Sequence, residues 1–311
     1  MLFLLVWYML LSVLFGLVFL LLQDTPFAGR ISVPWILILM QFAGLILPLA
    51  VYLRQRNHNL LHYMPNKALD TYSLVLVVMI SFLFQPAMMF ISGVSSLFLP
   101  NPAAEAMYIM SDIPFMILVL AVAVTPAFCE EIVFRGYIQS NQEFMGIKKA
   151  AVINGLFFGM IHMNLHQFFY AFAMGIVFAY LVYYSRSIQA GILAHFIVNA
   201  TQITIGRWII AIYPYQETSV DPAVSPFRAM AALGMIALIF TSLGLLLLNI
   251  FINHNKNRNL QHDMNSPAED IPVIEPLKHS TKLIKDPFFI VALLLWAGYM
   301  LLLTVFQILH S

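Results

Sequence analysis

Charge is what this sequence has least of: 9% of its 311 residues are Asp, Glu, Lys or Arg, against about 25% in an ordinary soluble domain. A formal net charge of +1 leaves no electrostatic basis for binding nucleic acid, which is excluded as a partner. Cys129 is the single cysteine, so an internal disulfide is excluded, and the spacings of structural zinc sites are absent. No Lys or Arg precedes Arg30, so the apolar run over residues 1–22 lacks the basic start of a cleaved signal peptide. It reads as a retained first helix. No internal repeat or low-complexity tract stands out.

What is present is apolar. Hydrophobic residues make up 61% of the chain and the mean hydropathy is +0.87. A soluble protein of this composition could not cover its surface, so the lipid bilayer is part of its solvent. By span length, the apolar runs lie near 2–22, 33–53, 72–99, 114–139, 149–164, 167–185, 187–212, 229–252 and 287–309. The expected class is all-α: a polytopic transmembrane bundle of eight or nine helices, with any site inside it. Both counts stand because the fifth and sixth runs are short, with a break at Asn164-Leu165-His166. Pro86 is expected to kink the third helix.

Basic residues set an orientation. With the N-terminus inside, eleven Lys and Arg fall in inner loops, from Arg54 and Arg56 to Lys285, and only Arg30, Arg207 and Arg228 fall outside. The outer loops are acidic (Glu105 with Asp112, Glu217 with Asp221). Residues 254–286 mix Asn, Lys, Asp, Pro and Glu without periodicity, as expected of a mobile cytoplasmic linker.

The chemistry lies in three apolar runs. The fourth reads Cys129-Glu130-Glu131-Ile132-Val133-Phe134-Arg135-Gly136. A charge at mid-helix costs about 2.5–3.5 kcal/mol on the insertion scale. Glu131 and Arg135, four apart, share a face and can pair, while Glu130 points about 100° away. Carboxylates held close in low dielectric push at least one pKa upward, which suits a general base. The fifth run ends Phe158-Gly159-Met160-Ile161-His162, and the seventh holds His195-Phe196-Ile197-Val198-Asn199. In each, the first and last residues share a face and point to a polar partner or cavity. Singly, each residue also reads as packing: His195 as a hydrogen-bonded core histidine, Asn199 as interhelical glue, Glu131–Arg135 as a lock between helices. Together they read as functional, because intramembrane ionisable residues are costly to keep. Asn164 and His166 read as a turn, with His166 within reach of the site's edge; Asn154 and Gln189 read as packing or helix-end residues.

These three motifs, in this order, resemble those of the CPBP family, which includes the CAAX prenyl endopeptidases and bacteriocin-processing or self-immunity relatives. The resemblance covers about residues 115–200. It implies peptide-bond hydrolysis within the membrane, with Glu130 and His162 activating water, Glu131 and Arg135 supporting them, and His195 and Asn199 stabilising the oxyanion. With the apolar runs, it suggests a division into N-terminal transmembrane helices (1–113), a CPBP-like catalytic core (114–212), a further transmembrane helix (213–252), a polar cytoplasmic linker (253–286) and a C-terminal transmembrane helix (287–311). It also implies a peptide or protein substrate at the membrane, and multi-pass residence, here expected in a bacterial cell membrane. Zinc is an alternative, with Glu130, His162 and His195 as candidate ligands, although the His-Glu-x-x-His helix of zincins is absent. The competing functions are a non-enzymatic membrane scaffold or immunity protein, and an ion-coupled transporter.

Overall fold

A computed structural model describes residues 2–22, 32–212, 226–265 and 287–310. Among the described residues the chain is helical, and its one β pairing is an isolated bridge between Asn66 and Ser187. The longer helices are α1 (Leu2–Leu22), α2 (Val33–Gln55), α3 (Thr71–Leu83), α4 (Gln85–Ser96), α5 (Pro102–Ile109), α6 (Phe115–Gln139), α7 (Ile147–Met160), α8 (Leu165–Ser185), α9 (Ile188–Ile212), α10 (Pro226–Asn265) and α11 (Pro287–His310).

Six helical stretches among the described residues are long and apolar enough to cross a membrane: α2, α3 with α4, α6, α8, α9 and α10. Each of the nine apolar runs is helical, but eight or nine crossings do not follow from that. The fifth run falls shortest. α7 has 14 residues, about 21 Å at helical rise, against a hydrocarbon core about 30 Å thick. α1 and α11 contribute shorter apolar stretches, Phe3–Val18 and Leu293–Val305. Large apolar side chains face outward, among them Trp35, Phe82, Leu238 and Leu302, as lipid contact requires.

Local chemistry sets the boundaries. Asp70 caps α3 by accepting from Ser73 N at 2.9 Å, and Asn164 caps α8 by accepting from His166 N at 2.9 Å. Pro86 cannot donate to the carbonyl of Phe82, and the helix breaks at Phe84, between α3 and α4, where the kink was expected. α7 and α8 form an antiparallel hairpin with very close backbones: a Cβ on Gly155 would lie 2.8 Å from Phe172 O. Only glycine admits that approach.

α10 differs from expectation. It is 40 residues long and carries residues 254–265, expected to begin the linker, as regular helix; 266–286 lie outside the described residues. The extension holds because it docks. Asn259 Nδ2 donates to Tyr184 O at 2.9 Å, Arg258 Nη2 to Ala68 O at 2.8 Å, and Asp263 pairs with both terminal nitrogens of Arg186. Asp70 joins in, 3.0 Å from Arg258 Nη1 and 3.2 Å from His254 Nε2.

Burial opposes ionisation of Asp70, but the Ser73 hydrogen bonds and the Arg258 and His254 charges outweigh it and hold the carboxyl below the usual carboxylate range. A depressed folded-state pKa stabilises above the ordinary value, and the gain is lost as pH falls through the lowered one. Asp70→Asn keeps a capping oxygen but removes the charge that faces Arg258 and His254, so it is expected to lower stability by up to about 1 kcal/mol at neutral pH. In thermal melts of detergent-solubilised protein, the gap to wild type should close on acidification below the ordinary carboxylate pKa. A gap independent of pH would refute this role.

Candidate active site

α6 supplies the carboxylates, and it is not a uniform α-helix. Two π-helical stretches, Val119–Val124 and Ile132–Gln139, flank the α-helical Thr125–Glu131. Such wide turns are frequent at functional sites. Pro126 has no N–H, so the carbonyl of Val122 loses its α-helical donor. Asn199 Nδ2, from α9, donates to that carbonyl at 2.9 Å.

Glu131 is fully buried. Its Oε1 accepts from Arg135 Nη1 at 2.8 Å and from His195 Nδ1 at 2.9 Å. Arg135, also fully buried, gives Nη2 to Gly175 O at 3.0 Å, and its guanidinium carbon lies 4.4 Å from the centroid of the Phe158 ring. α9 presses on the carboxylate at Gly191, where a Cβ would lie 2.6 Å from Glu131 Oε2. Glu131 and Arg135 therefore sit as the expected pair, and the pair extends to a third helix through His195.

His195 lies against two aromatic rings, stacked on Phe178 (centroids 5.3 Å apart) and edge-on to Phe158 (5.6 Å). A carboxylate only accepts, so Nδ1 carries the proton and Nε2 of the neutral ring keeps its lone pair. Nε2 lies 3.9 Å from Glu130 Oε2. His162 is tautomerically alike: its Nδ1 donates to Phe158 O at 2.8 Å, leaving Nε2 bare. Glu130, 5% exposed, accepts from Gln41 Nε2 at 2.7 Å through Oε1, while its Oε2 has no hydrogen-bond partner.

Glu130, His162, His195 and Asn199 line one cavity of about 300 Å³. Glu131 and Arg135 stand behind it. His166 does not line it: the side chain is buried with Nε2 2.8 Å from Ser96 Oγ, tying α8 to α4. Asn154 donates to Phe134 O at 2.7 Å, an interhelical packing bond. Gln41, Tyr8, Gln167 and Gln202 also line the cavity, and sequence reasoning missed them. Gln41 had one legible signal, a lone amide in an apolar run; Tyr8 had none.

Among the described residues no three His, Cys, Asp or Glu side chains are grouped as a metal ion needs. Glu130, His162 and His195 therefore do not fit zinc in this arrangement.

Removing one partner of a buried ion pair costs about 3–5 kcal/mol, so Arg135→Ala is expected to unfold or severely destabilise the protein. Gln41→Leu touches only Glu130 among these groups. It is expected to preserve the melting temperature within a few degrees while weakening any function that depends on Glu130. Equal melting losses in the two variants would contradict this division between frame and site.

No curated protein and no solved structure matches the chain. Residues 112–201 match the family model described as Type II CAAX prenyl endopeptidase Rce1-like, 90 of 311 residues. That stretch contains α6 to the middle of α9, with all six polar residues of the site and its frame. The matched segment is the one that holds the three motifs, so the family model and the motif resemblance agree over residues 112–201.

Proposed function

We propose that the protein is an intramembrane endopeptidase that hydrolyses a peptide bond in a membrane-associated peptide or protein, in a bacterial cell membrane and without a metal. The observation that carries this reading is the unpaired Oε2 of Glu130, 3.9 Å from Nε2 of His195, at a cavity that His162 also lines. Glu130 Oε2 and His162 Nε2 hold the attacking water. As its oxygen bonds the scissile carbonyl carbon, one proton passes to Glu130; Glu130 then returns it to the leaving nitrogen as the C–N bond breaks. Water thus divides into the new carboxyl hydroxyl and the amine hydrogen.

His195 takes a modified role. With its proton on Nδ1, given to Glu131, its Nε2 faces Glu130 as an acceptor and leaves oxyanion donation to Asn199. Asn199 has one N–H committed to Val122 O and a second to offer. The scaffold reading explains Glu131–Arg135 equally well, but not why Glu130 Oε2 should be left unpaired at a cavity that His162 and His195 also line.

Glu130→Gln and His162→Ala, inserted at wild-type levels, are expected to slow processing of the physiological peptide by about 10²–10⁴-fold, the range for a general base. Peptide mapping of cells carrying each variant reads this out. Metal chelators are expected to leave wild-type processing intact. Wild-type rates in either variant would end the protease reading, and chelator loss restored by zinc would end its metal-free form.

A further inference from the structure

Most basic residues of the described chain gather at one end of the bundle; of the others, Arg135 is buried mid-helix, and Arg207 and Arg228 lie toward the opposite end. Arg54 and Arg56 close α2, Lys67 precedes α3, Lys148 and Lys149 begin α7, Arg186 separates α8 from α9, and Lys256 and Arg258 lie far along α10. Several meet there: Lys67 Nζ donates to Asn259 Oδ1 at 2.8 Å, and Lys67 N to Arg186 O at 2.9 Å. At the other end stand Glu105 and Asp112, with Arg207 donating to Ile113 O at 2.8 Å. Lys and Arg mark the cytoplasmic side of a membrane protein, so the first end is cytoplasmic.

The cavity runs the other way. On α8 its lining residues Gln167 and Tyr170 sit two and five residues from Leu165, at the end remote from Arg186. On α9, His195 is about 10 Å from Ile188 at helical rise, and Gln202 about 21 Å. One wall comes from α5, through Ala106 and Met107. That short helix lies wholly in the connection between α4 and α6, on the acidic side. Glu130 and His195 therefore form a floor near mid-bundle, under walls that continue to the end without the basic cluster.

We infer that the cavity takes its peptide from the extracytoplasmic side, because α5 walls it at the acidic end while eight Lys and Arg residues gather at the opposite end, against Arg207 and Arg228 at this one. The inference rests on the protease reading and narrows the substrate class: a peptide segment already exported or translocated, rather than a tail presented from the cytoplasm. Met40, Met107 and Met110 line the cavity. Flexible thioether side chains such as these accept varied apolar groups, which suits apolar residues flanking the scissile bond.

Cysteine accessibility in cells expressing the full chain tests this directly. The native Cys129 is buried, so labelling reports introduced cysteines: Ala104→Cys on the exposed face of α5, Met107→Cys in the cavity wall and Arg56→Cys at the basic end. With a membrane-impermeant maleimide, the first two are expected to label fully in intact cells and Arg56→Cys only after permeabilisation, which also confirms that each variant is present. Labelling of Arg56→Cys in intact cells, or failure of Ala104→Cys or Met107→Cys to label from outside, overturns the inference. Reversed labelling would leave the protease reading standing, because labelling needs no turnover. Wild-type processing by Glu130→Gln would end that reading whatever the labelling shows.

Discussion

One carboxylate oxygen holds this site together. Glu131 Oε1 accepts from Arg135 on its own helix and from His195 on another, with no exposed surface on Glu131 or Arg135. An uncompensated charge at that depth is costly, and the arrangement answers it with a guanidinium, an imidazole N–H, a backbone carbonyl and three aromatic rings. Because the partners come from α6, α7, α8 and α9, satisfying one charge fixes four helices against each other. It also fixes a tautomer. With Nδ1 of His195 committed to Glu131, the nitrogen facing Glu130 is bare. Glu130 is handled oppositely: Gln41 holds one oxygen and the other stays unpaired. Adjacent residues of one type thus differ, one built into the frame and one facing the cavity.

Much of this was legible from spacing. The i, i+4 rule put Glu131 with Arg135 and placed Phe158 behind His162, whose Nδ1 bonds its carbonyl. Composition sufficed for an all-helical membrane protein. What was not legible depends on registers that a uniform helical period misses. The π-helical stretches of α6 and of α2 at Phe42–Ile46 shift faces relative to an ideal helix, so nothing in spacing selected Gln41 as the partner of Glu130. Asn199 sat on the expected face, but its partner is a backbone carbonyl released by Pro126, and side-chain patterns do not reveal freed backbone groups.

Polar surface misled in a different way. Residues 254–265 have the composition of a linker, yet they continue α10 because Asn259, Arg258 and Asp263 each find a partner on Tyr184, Ala68, Asp70 or Arg186. Tertiary docking, not propensity, sustains those turns. The same contacts bind the basic end together, and the cavity lies toward the opposite end.

Glu131 orients His195 so that its Nε2 faces Glu130 bare. Nitrogen-15 NMR of histidine-labelled protein in bilayers, with His195 assigned by its loss in His195→Gln, measures this most directly. Orientation by Glu131 requires a protonated, strongly hydrogen-bonded Nδ1 on His195 at neutral pH, with that signal shifted in Glu131→Gln. A bare Nδ1 with the proton on Nε2 would contradict it.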